Sequence, residues 1–432
     1  MKRFKLIISL LVFFYSTNLF AQLGWQAQTN PVTGWDLNSA WAVDVNTCWM
    51  CGATSLQTLG YVIRTTNGGL PWTNVTGDMP VSTVGLYSIC GISATEAWVG
   101  ANDGSVYHTT NSGSHWSYVS LPSPVTQFID AIHFFNQNTG FIIGDPLTTQ
   151  WCYYWTTNAG VNWTSAGPSF TGAEAGWNNG YAALDTGHIW FGTNNTKIYR
   201  GGLKSGFVSI STLGLNSIGI AFMNANTGVA AMTNVSNLVL SFNVTTNGGT
   251  NWTAGYTPAG VQNGLKCVPG TPYIWSCGAG SSGGVILQST NYGVNWTNQY
   301  TMSAAGYCLT FATTDRGWAG CSTGLIYRYA YTPDEVNNSK EIFPKDYLLE
   351  QNYPNPFNPT TCIRFNLPKE SRITLKVYDL LGSKVSTIVN GVILKAGLKS
   401  YSFDGTNLSS GIYYYKIFTD EFSDSKKMIL LK

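Results

Sequence analysis

One turn sequence recurs through the first three quarters of the chain, and it constrains the fold more than any other feature. Five copies are plain, TTNGGLPW, TTNSGSHW, TTNAGVNW, TTNGGTNW and STNYGVNW, and they end at Trp72, Trp116, Trp163, Trp252 and Trp296. The tryptophans are 44, 47, 89 and 44 residues apart, so the longest interval holds two periods. A period in this range is typical of repeat architectures, in which each repeat forms one supersecondary unit.

Short apolar segments with the character of β-strands precede each turn. A Trp-x-Gly segment occurs at 98–100, 190–192 and 318–320, and a segment such as 62–64 leads directly into the turn. A helical period is absent. The repeat therefore predicts four short strands in about 45 residues, which is one blade of an all-β propeller.

The number of blades follows from the spacing of the aromatic anchors. Trp25 lies 47 residues before Trp72, and a degenerate copy with Phe207 near the expected tryptophan divides the 89-residue interval. Seven anchors predict a seven-bladed β-propeller over residues 22–330. The last repeat has no tryptophan after it, and the N-terminal segment has a strand to spare. We therefore expect the N-terminal strand to complete the last blade, which leaves no open sheet edge.

The residues of the turn have local structural tasks. Its asparagine side chain is expected to accept hydrogen bonds from main-chain N–H groups two or three residues later, and its glycine to adopt positive φ. Its tryptophan is expected to cover the neighbouring strand. We predict a structural role for the five asparagines and the five tryptophans named above; the asparagines are Asn67, Asn111, Asn158, Asn247 and Asn291.

The turn resembles the Asp-box, Ser-x-Asp-x-Gly-x-x-Trp, of sialidase-like (BNR repeat) propellers, with asparagine in place of aspartate. The resemblance implies turns on blade edges, away from an active site. Together with the Trp-x-Gly strands, the turn is also similar to that of photosystem II assembly-factor-like propellers, which act as assembly chaperones. An export signal argues against transferring that role to this chain.

The composition changes near residues 331–345, which we interpret as a linker. Residues 22–330 contain seven Lys/Arg and ten Asp/Glu, whereas residues 331–432 contain thirteen and eleven. The segments NYPNPFNPTTCIRFNLP, VYDLLGSKV, LSSGIYYYKI and KKMILLK resemble the C-terminal sorting domain of type IX secretion cargo. The resemblance implies a small C-terminal β-sandwich over 346–432, with the secretion translocon and sortase-like processing machinery as partners.

The N-terminus reads as a signal peptide over residues 1–21. Lys2, Arg3 and Lys5 precede an apolar run at 6–14, and Ala21 supplies the small residue before cleavage. The run is too short to span a bilayer, and no later run is longer, so no transmembrane segment is predicted. We expect a secreted or outer-membrane surface protein. The net charge is near zero, so the sequence gives no electrostatic signal for nucleic-acid binding.

Catalysis is a possibility that the sequence leaves open. Asp130, Asp145 and Glu174 lie in or just after the third repeat, next to an inserted loop, GDPLTTQWCYYW, and a carboxyl pair is what a glycoside hydrolase needs. Solvated turn carboxylates are the alternative. Sialidase activity is not expected, because three of the four propeller arginines occupy one repeat position and cannot converge on a ligand.

Loop aromatics suggest a binding surface instead. Trp151, Tyr153, Tyr154 and Trp177 are candidates for stacking on sugars or on partner side chains, and core packing is the alternative for each. The main prediction is thus an exported, non-catalytic propeller that binds an unknown glycan or protein. The alternative is a secreted polysaccharide hydrolase with a carboxyl pair at the propeller mouth.

We predict no cofactor and no metal. GAGSSG at 278–283 is followed by a strand rather than by the helix that a dinucleotide site requires. Cys48-x-x-Cys51 lacks the second pair of a zinc ribbon. The number of cysteines is odd, at nine. Cys267 with Cys277, and Cys308 with Cys321, are candidate disulfides, and buried free thiols are the alternative.

Overall fold

The computed structural model describes residues 23–212, 215–234, 240–268, 271–281, 283–331, 347–352, 355–394 and 397–431. The chain divides into two compact units between Asp334 and Glu335. The predicted signal peptide and nearly all of the predicted linker lie outside the described residues. The domain limits given above therefore stay predictions.

Seven antiparallel sheets make up the described part of the first unit. The opening strand is β1 (Leu23–Gln28). The first blade is β2 (Asp36–Ala42), β3 (Cys48–Ala53), β4 (Gly60–Thr65) and β5 (Thr73–Asn74). The second is β6 (Leu86–Gly91), β7 (Ala97–Ala101), β8 (Val106–Thr109) and β9 (Ser117–Val119). The third is β10 (Ile129–Phe134), β11 (Gly140–Leu147), β12 (Gln150–Thr156) and β13 (Thr164–Ser165).

The remaining sheets follow the same order. The fourth blade is β14 (Tyr181–Asp185), β15 (His188–Gly192), β16 (Lys197–Gly202) and β17 (Gly206–Ser211). The fifth is β18 (Asn216–Phe222), β19 (Gly228–Thr233) and β20 (Leu240–Thr245). The sixth is β21 (Gln262–Cys267), β22 (Ile274–Gly280), β23 (Gly283–Ser289) and β24 (Thr297–Met302). The seventh is β25 (Gly306–Thr313), β26 (Arg316–Cys321) and β27 (Ile326–Tyr331), with a 3₁₀ turn at Ser322–Gly324.

The first strand of each sheet is the inner strand of its blade. The inner strands β2, β6 and β10 contact one another in sequence, as do β14, β18, β21 and β25, and β25 contacts β2. The inner strands therefore ring a central channel, and the predicted seven-bladed propeller is confirmed. Between β10 and β14 the segment 171–180 intervenes, where the Asn179 N–H donates to the Asp130 carbonyl at 2.9 Å.

The N-terminal strand closes the ring, as predicted. Strand β1 pairs antiparallel with β27, with Trp25 opposite Tyr329, so the seventh sheet has the order β1-β27-β26-β25. The Trp25 ring packs against Trp275, Phe311 and Tyr329 at centroid distances of 5.2–5.9 Å. The two ends of the propeller thus share one sheet and one apolar cluster.

The Trp-x-Gly segments lie in second strands, where adjacent blades touch. Trp98, Trp190 and Trp318 are almost fully buried between blades. A Cβ on the glycine would fall 2.3 Å from Ile129 at Gly100, and 2.3 Å from the carbonyl oxygen of Ser217 at Gly192. Both contacts are with the inner strand of the next blade, so the glycine is required by the close approach of the blades.

The second unit is a small β-sandwich, as predicted. Its strands are β28 (Leu348–Leu349), β29 (Thr360–Leu367), β30 (Ser371–Tyr378), β31 (Lys384–Leu394), β32 (Gly397–Asp404), β33 (Gly411–Phe418) and β34 (Ser423–Leu430). They form two sheets, β28-β29-β32 and β31-β30-β33-β34. Alternate residues of both sheets, such as Ile363, Phe365, Leu375 and Tyr415, are fully buried in one shared core.

All nine cysteines of the chain are free thiols. Neither Cys267 with Cys277 nor Cys308 with Cys321 forms a disulfide, so the alternative of free thiols is correct. Seven of the nine side chains are buried within blades, and burial raises the pKa of thiols such as Cys277 well above its usual value. A buried thiol of this kind packs as a small apolar residue.

Candidate functional site

The repeated turn is held together by the hydroxyl of its first residue. We call Thr65–Gly69 and its four equivalents, which begin at Thr109, Thr156, Thr245 and Ser289, the Thr-Asn-Gly turns. In the second copy, Thr109 Oγ1 accepts hydrogen bonds from the N–H groups of Asn111 and Gly113, at 3.4 and 3.1 Å. The same hydroxyl lies 3.0 Å from Asn111 Oδ1, to which it donates.

The asparagine acts further along the chain than predicted. Asn111 Oδ1 accepts from the His115 N–H, four residues later, at 2.9 Å, and Asn158, Asn247 and Asn291 make the equivalent bond. The expectation of bonds two or three residues later is wrong, because the hydroxyl already serves the nearer N–H groups. Asn67 differs, since Pro71 has no N–H; its amide instead donates to the Leu70 carbonyl at 2.8 Å.

Two consecutive residues of each turn have positive φ. In the second copy they are Ser112, at 71°, and Gly113, at 83°. A Cβ on Gly113 would lie 2.4 Å from the carbonyl oxygen of Val75 in the preceding blade, so only glycine fits there. Four turn tryptophans are buried, and Trp163 is half-buried; the four are Trp72, Trp116, Trp252 and Trp296. The turns join the third strand of a blade to its outer segment, and the contacts described here are all structural.

The candidate carboxyl groups Asp130 and Asp145 lie close together beneath segment 171–180. The Gly176 N–H donates to Asp145 Oδ1 at 2.7 Å, and a Cβ on Gly176 would lie 2.4 Å from Asp130 Oδ2. Burial raises the pKa of both carboxyl groups, and the Asp145 charge raises that of Asp130 further. The void that Asp130 lines has a volume of only about 10 Å³, too small for a substrate.

Glu174 anchors the same segment instead of facing solvent. Its side chain is fully buried. Its carboxylate accepts from Trp151 Nε1 at 2.8 Å, from the Tyr199 hydroxyl at 2.9 Å and from Lys197 Nζ at 2.6 Å. Three donors, one of them charged, occupy the carboxylate oxygens, as a buried charge requires.

Three of the four candidate binding aromatics belong to the core. Trp151, Tyr153 and Tyr154 are at most 1% exposed and lie in β12. Their assignment to a ligand-binding loop is therefore wrong. The run QWCYYW is apolar on both faces because a blade packs against a neighbour on each side, and the true loop is the short turn between β11 and β12. Trp177 is only half-buried.

Segment 171–180 crosses the channel, a crossing that the sequence alone does not predict. It leads into the fourth blade, yet its Asn178 and Asn179 amides both donate to the Asn38 carbonyl of the first blade at 3.0 Å. Ser39 Oγ donates to Asn179 Oδ1 at 3.0 Å. The only sequence signal is a Gly- and Asn-rich stretch, GWNNG, before the fourth blade.

Beside this segment the channel opens into a pocket, which we call the channel-mouth pocket. Its volume is about 300 Å³, and its lining includes Asn38, Trp177, Asn178, Val261, Asn263 and Tyr307. These residues stand in the crossing segment, near the start of inner strands, or just before one. None of the residues lining the pocket is charged. The crossing segment thus blocks part of the channel and forms one wall of the pocket.

A smaller void lies next to the pocket and reaches Lys266 on the sixth blade. It holds about 10 Å³ and shares Asn263 and Tyr307 with the pocket. Lys266 Nζ lies 5.0 Å from the centre of the Tyr181 ring. Burial lowers the pKa of Lys266. Burial and the Lys266 charge lower the pKa of His133 to about 3.

Neither a metal site nor a membrane helix was found in the described ranges. These ranges contain no group of three or more His, Cys, Asp or Glu residues that could hold a metal ion. Within the same ranges, no helix is long and apolar enough to cross a membrane.

Comparisons with known proteins separate the two units. Residues 351–431 match the family model described as "Secretion system C-terminal sorting domain". No curated protein matches the sequence. Similar solved structures include "YCF48 bound to D1 peptide", 17% identical with a TM-score of 0.55, covering 71% of this chain and 96% of that one. YCF48 from Cyanidioschyzon merolae is 16% identical, with a TM-score of 0.54 and coverages of 72% and 100%.

An enzyme of the same fold is also similar. The GH74 enzyme of Niastella koreensis is 13% identical with a TM-score of 0.52, covering 92% of this chain and 73% of that one. At these identities the likeness shows the fold alone. The sorting domain indicates export to the cell surface or secretion. The chain is thus a β-propeller followed by a C-terminal domain of the type IX secretion sorting family.

Proposed function

We propose that this chain is an exported, non-catalytic propeller that binds a glycan or protein partner at the channel-mouth pocket. One observation carries the proposal. The described propeller offers an open pocket with aromatic and amide walls and no charged lining residue. Concave sites with apolar walls and a few polar groups are the usual form of ligand sites.

The carboxyl groups support a binding role rather than hydrolysis. Glycosidases hold two carboxyl groups roughly 5–9.5 Å apart across the space that the sugar occupies. Glu174 already accepts three hydrogen bonds from buried or partly buried donors, and Asp130 borders a void of only about 10 Å³. No described carboxyl group lines the channel-mouth pocket.

The proposal allows two classes of partner, a protein or a glycan. A structure of similar fold was solved with a peptide bound, which supports a protein partner. The tryptophan, tyrosine and asparagine walls support a glycan, since sugar rings stack on aromatic faces and bond to amides. The translocon and the sortase-like machinery are proposed as transient partners of the C-terminal domain during export.

Polysaccharide hydrolysis is the second candidate, favoured by the likeness to a GH74 enzyme and by the proximity of Asp130 to Asp145. It requires segment 171–180 to leave the channel and uncover the pair. In that case Asp130→Asn would abolish activity, while Trp177→Ala would mainly weaken substrate binding.

The two candidates are separated by testing the full chain on a glycan array, on a peptide array and against a polysaccharide panel. We expect binding on an array and no released product. Product formation that is lost in Asp130→Asn would establish the hydrolase instead. Blank arrays with folded protein would overturn the binding proposal.

A further inference from the structure

We infer that the channel-mouth pocket takes one neutral sugar residue, presented end-on by a glycan, and that it selects against acidic sugars. This inference rests on the proposed binding function and names the ligand class for the same site. It is argued from the hydrogen-bonding capacity of the pocket asparagines, from the two aromatic walls, and from the charges near the pocket.

The three pocket asparagines have their amide nitrogens committed to the protein. Asn263 Nδ2 donates to the Gly306 carbonyl at 3.0 Å, Asn38 Nδ2 to the Leu86 carbonyl at 2.9 Å, and Asn178 Nδ2 to the Asn38 carbonyl at 3.0 Å. A main-chain carbonyl only accepts, so each of these contacts must be made by an NH₂ group. The orientation of all three amides is therefore fixed.

The fixed amides leave oxygen atoms available. Among the described residues, nothing donates to Oδ1 of Asn38 or Asn263, and neither oxygen is closed off from solvent, whereas Asn178 Oδ1 is buried and out of reach of a ligand. The two accessible oxygens can accept hydrogen bonds from donors on a ligand. Hydroxyl groups supply such donors, whereas a carboxylate or sulfate has none to offer.

Two aromatic side chains complete the walls. Trp177, from the crossing segment, and Tyr307, from the inner strand of the seventh blade, both line the pocket. The Trp177 indole N–H is itself buried, so Trp177 offers the pocket its ring and not a hydrogen-bond donor. Aromatic faces next to hydrogen-bonding edges suit a pyranose, which has apolar C–H faces and a polar rim.

The size of the pocket limits the ligand to one ring. About 300 Å³ is at the lower end of the roughly 300–1,000 Å³ of small-molecule sites. The neighbouring void of about 10 Å³ holds one water-sized particle and cannot extend the site. This volume fits the terminal residue of a glycan, whereas the rest of the glycan chain would lie outside.

The nearby charges disfavour an acidic ligand. Asp36 begins the first inner strand, two residues before the pocket-lining Asn38. Burial, and after it the charge of Asp36, raises the pKa of Tyr307. The negative charge of Asp36 is thus felt at the pocket wall. No cation is among the described residues that line the pocket, and Lys266 lines the small neighbouring void, where a carboxylate does not fit.

The test uses the folded full chain and three neutral probes: the methyl α-pyranosides of glucose, galactose and mannose. Saturation-transfer NMR and titration calorimetry are run beside sodium glucuronate. We expect at least one neutral glycoside to bind, and glucuronate to bind at least about tenfold more weakly. Tighter binding of glucuronate, or no binding of any neutral glycoside, would overturn the inference.

Single substitutions test whether the glycoside binds in the channel-mouth pocket. Trp177→Ala and Tyr307→Ala should each weaken glycoside binding by about tenfold or more, since stacking is lost. Tyr118→Ala is the matched control, because Tyr118 is exposed on the outer strand of the second blade. Binding of a peptide but of no neutral glycoside, lost in Trp177→Ala and Tyr307→Ala, would overturn this inference and leave the proposed function intact. Array binding that survives both substitutions would overturn the pocket as the site in this inference and in the proposed function. Blank arrays would remove both.

Discussion

A single hydroxyl organises each Thr-Asn-Gly turn at the scale of the residue. Thr109 is buried, and its Oγ1 accepts from two main-chain N–H groups. Thr109→Val keeps the shape of the side chain and leaves the buried Gly113 N–H without a partner. We expect a loss of about 1–3 kcal/mol in the free energy of unfolding. Urea unfolding followed by tryptophan fluorescence measures it, because all 16 tryptophans lie in the propeller.

Thr110→Val is the matched control for that experiment. Thr110 is the next residue in the same turn and is exposed, so the same chemical change should alter the free energy of unfolding by less than about 0.5 kcal/mol. Equal losses in Thr109→Val and Thr110→Val would show that the hydroxyl bonds do not stabilise the turn.

The buried carboxyl group of Asp130 should make the stability of the protein depend on pH. Its pKa in the folded protein is raised by burial and by Asp145. The folded state therefore keeps a proton that the unfolded chain releases at about pH 3.9. Wild-type stability should therefore fall as pH rises from that value through the folded pKa. Asp130→Asn removes this loss, so its advantage over wild type should grow between pH 4 and pH 8, by about 1.4 kcal/mol for each unit of the pKa shift.

Urea midpoints at several pH values measure this advantage. Asp103→Asn serves as control, because Asp103 is exposed and the substitution keeps an oxygen that can accept the Ser105 N–H. An Asp130→Asn protein that is less stable than wild type at pH 8 would show that the ionised carboxylate contributes to stability, against the expectation from its burial.

At the scale of the element, strand β1 joins the ends of the propeller. Trp25 is buried against three aromatic rings of the sixth and seventh blades. Trp25→Ala should cost about 3–5 kcal/mol in the free energy of unfolding, because it opens a cavity at the seam. Val208→Ala, at an exposed position in the outer strand of the fourth blade, should cost little. A Trp25→Ala protein as stable as wild type would mean that the seam does not limit stability.

The repeated elements were predictable, and the irregular ones were not. The Trp-x-Gly segments and the Thr-Asn-Gly turns have fixed spacing, because the first must meet the next blade and the second the preceding blade at equivalent positions. Segment 171–180 has no such neighbour and is held by distant contacts with Asn38 and Ser39, which no local pattern encodes. Trp151 and Tyr154 belong to β12, an apolar strand that packs on both faces. Because β11 before it is extended, this strand resembles an inserted loop in the sequence.

The same limit applies to the candidate site. Trp177 was a prediction from the sequence, whereas Asn38, Asn263 and Tyr307 were not. These three come from the first, sixth and seventh blades, and each has an unremarkable local context. Only closure of the ring brings them around one pocket, so the site is a property of the closed propeller and not of any one repeat.

At the scale of the whole molecule, folding and export belong to different units. The propeller and the sorting domain have separate cores and separate sheets. Deletion of residues 347–432 should therefore leave the tryptophan-reported urea midpoint unchanged.

The same deletion should abolish delivery to the cell surface or medium, because the matched sorting domain spans 351–431. Fractionation of cells that express either chain measures delivery, with the full-length chain as control. A truncated chain that still reaches the surface would show that the propeller carries its own export information, and a lowered midpoint would show that the second unit stabilises the first.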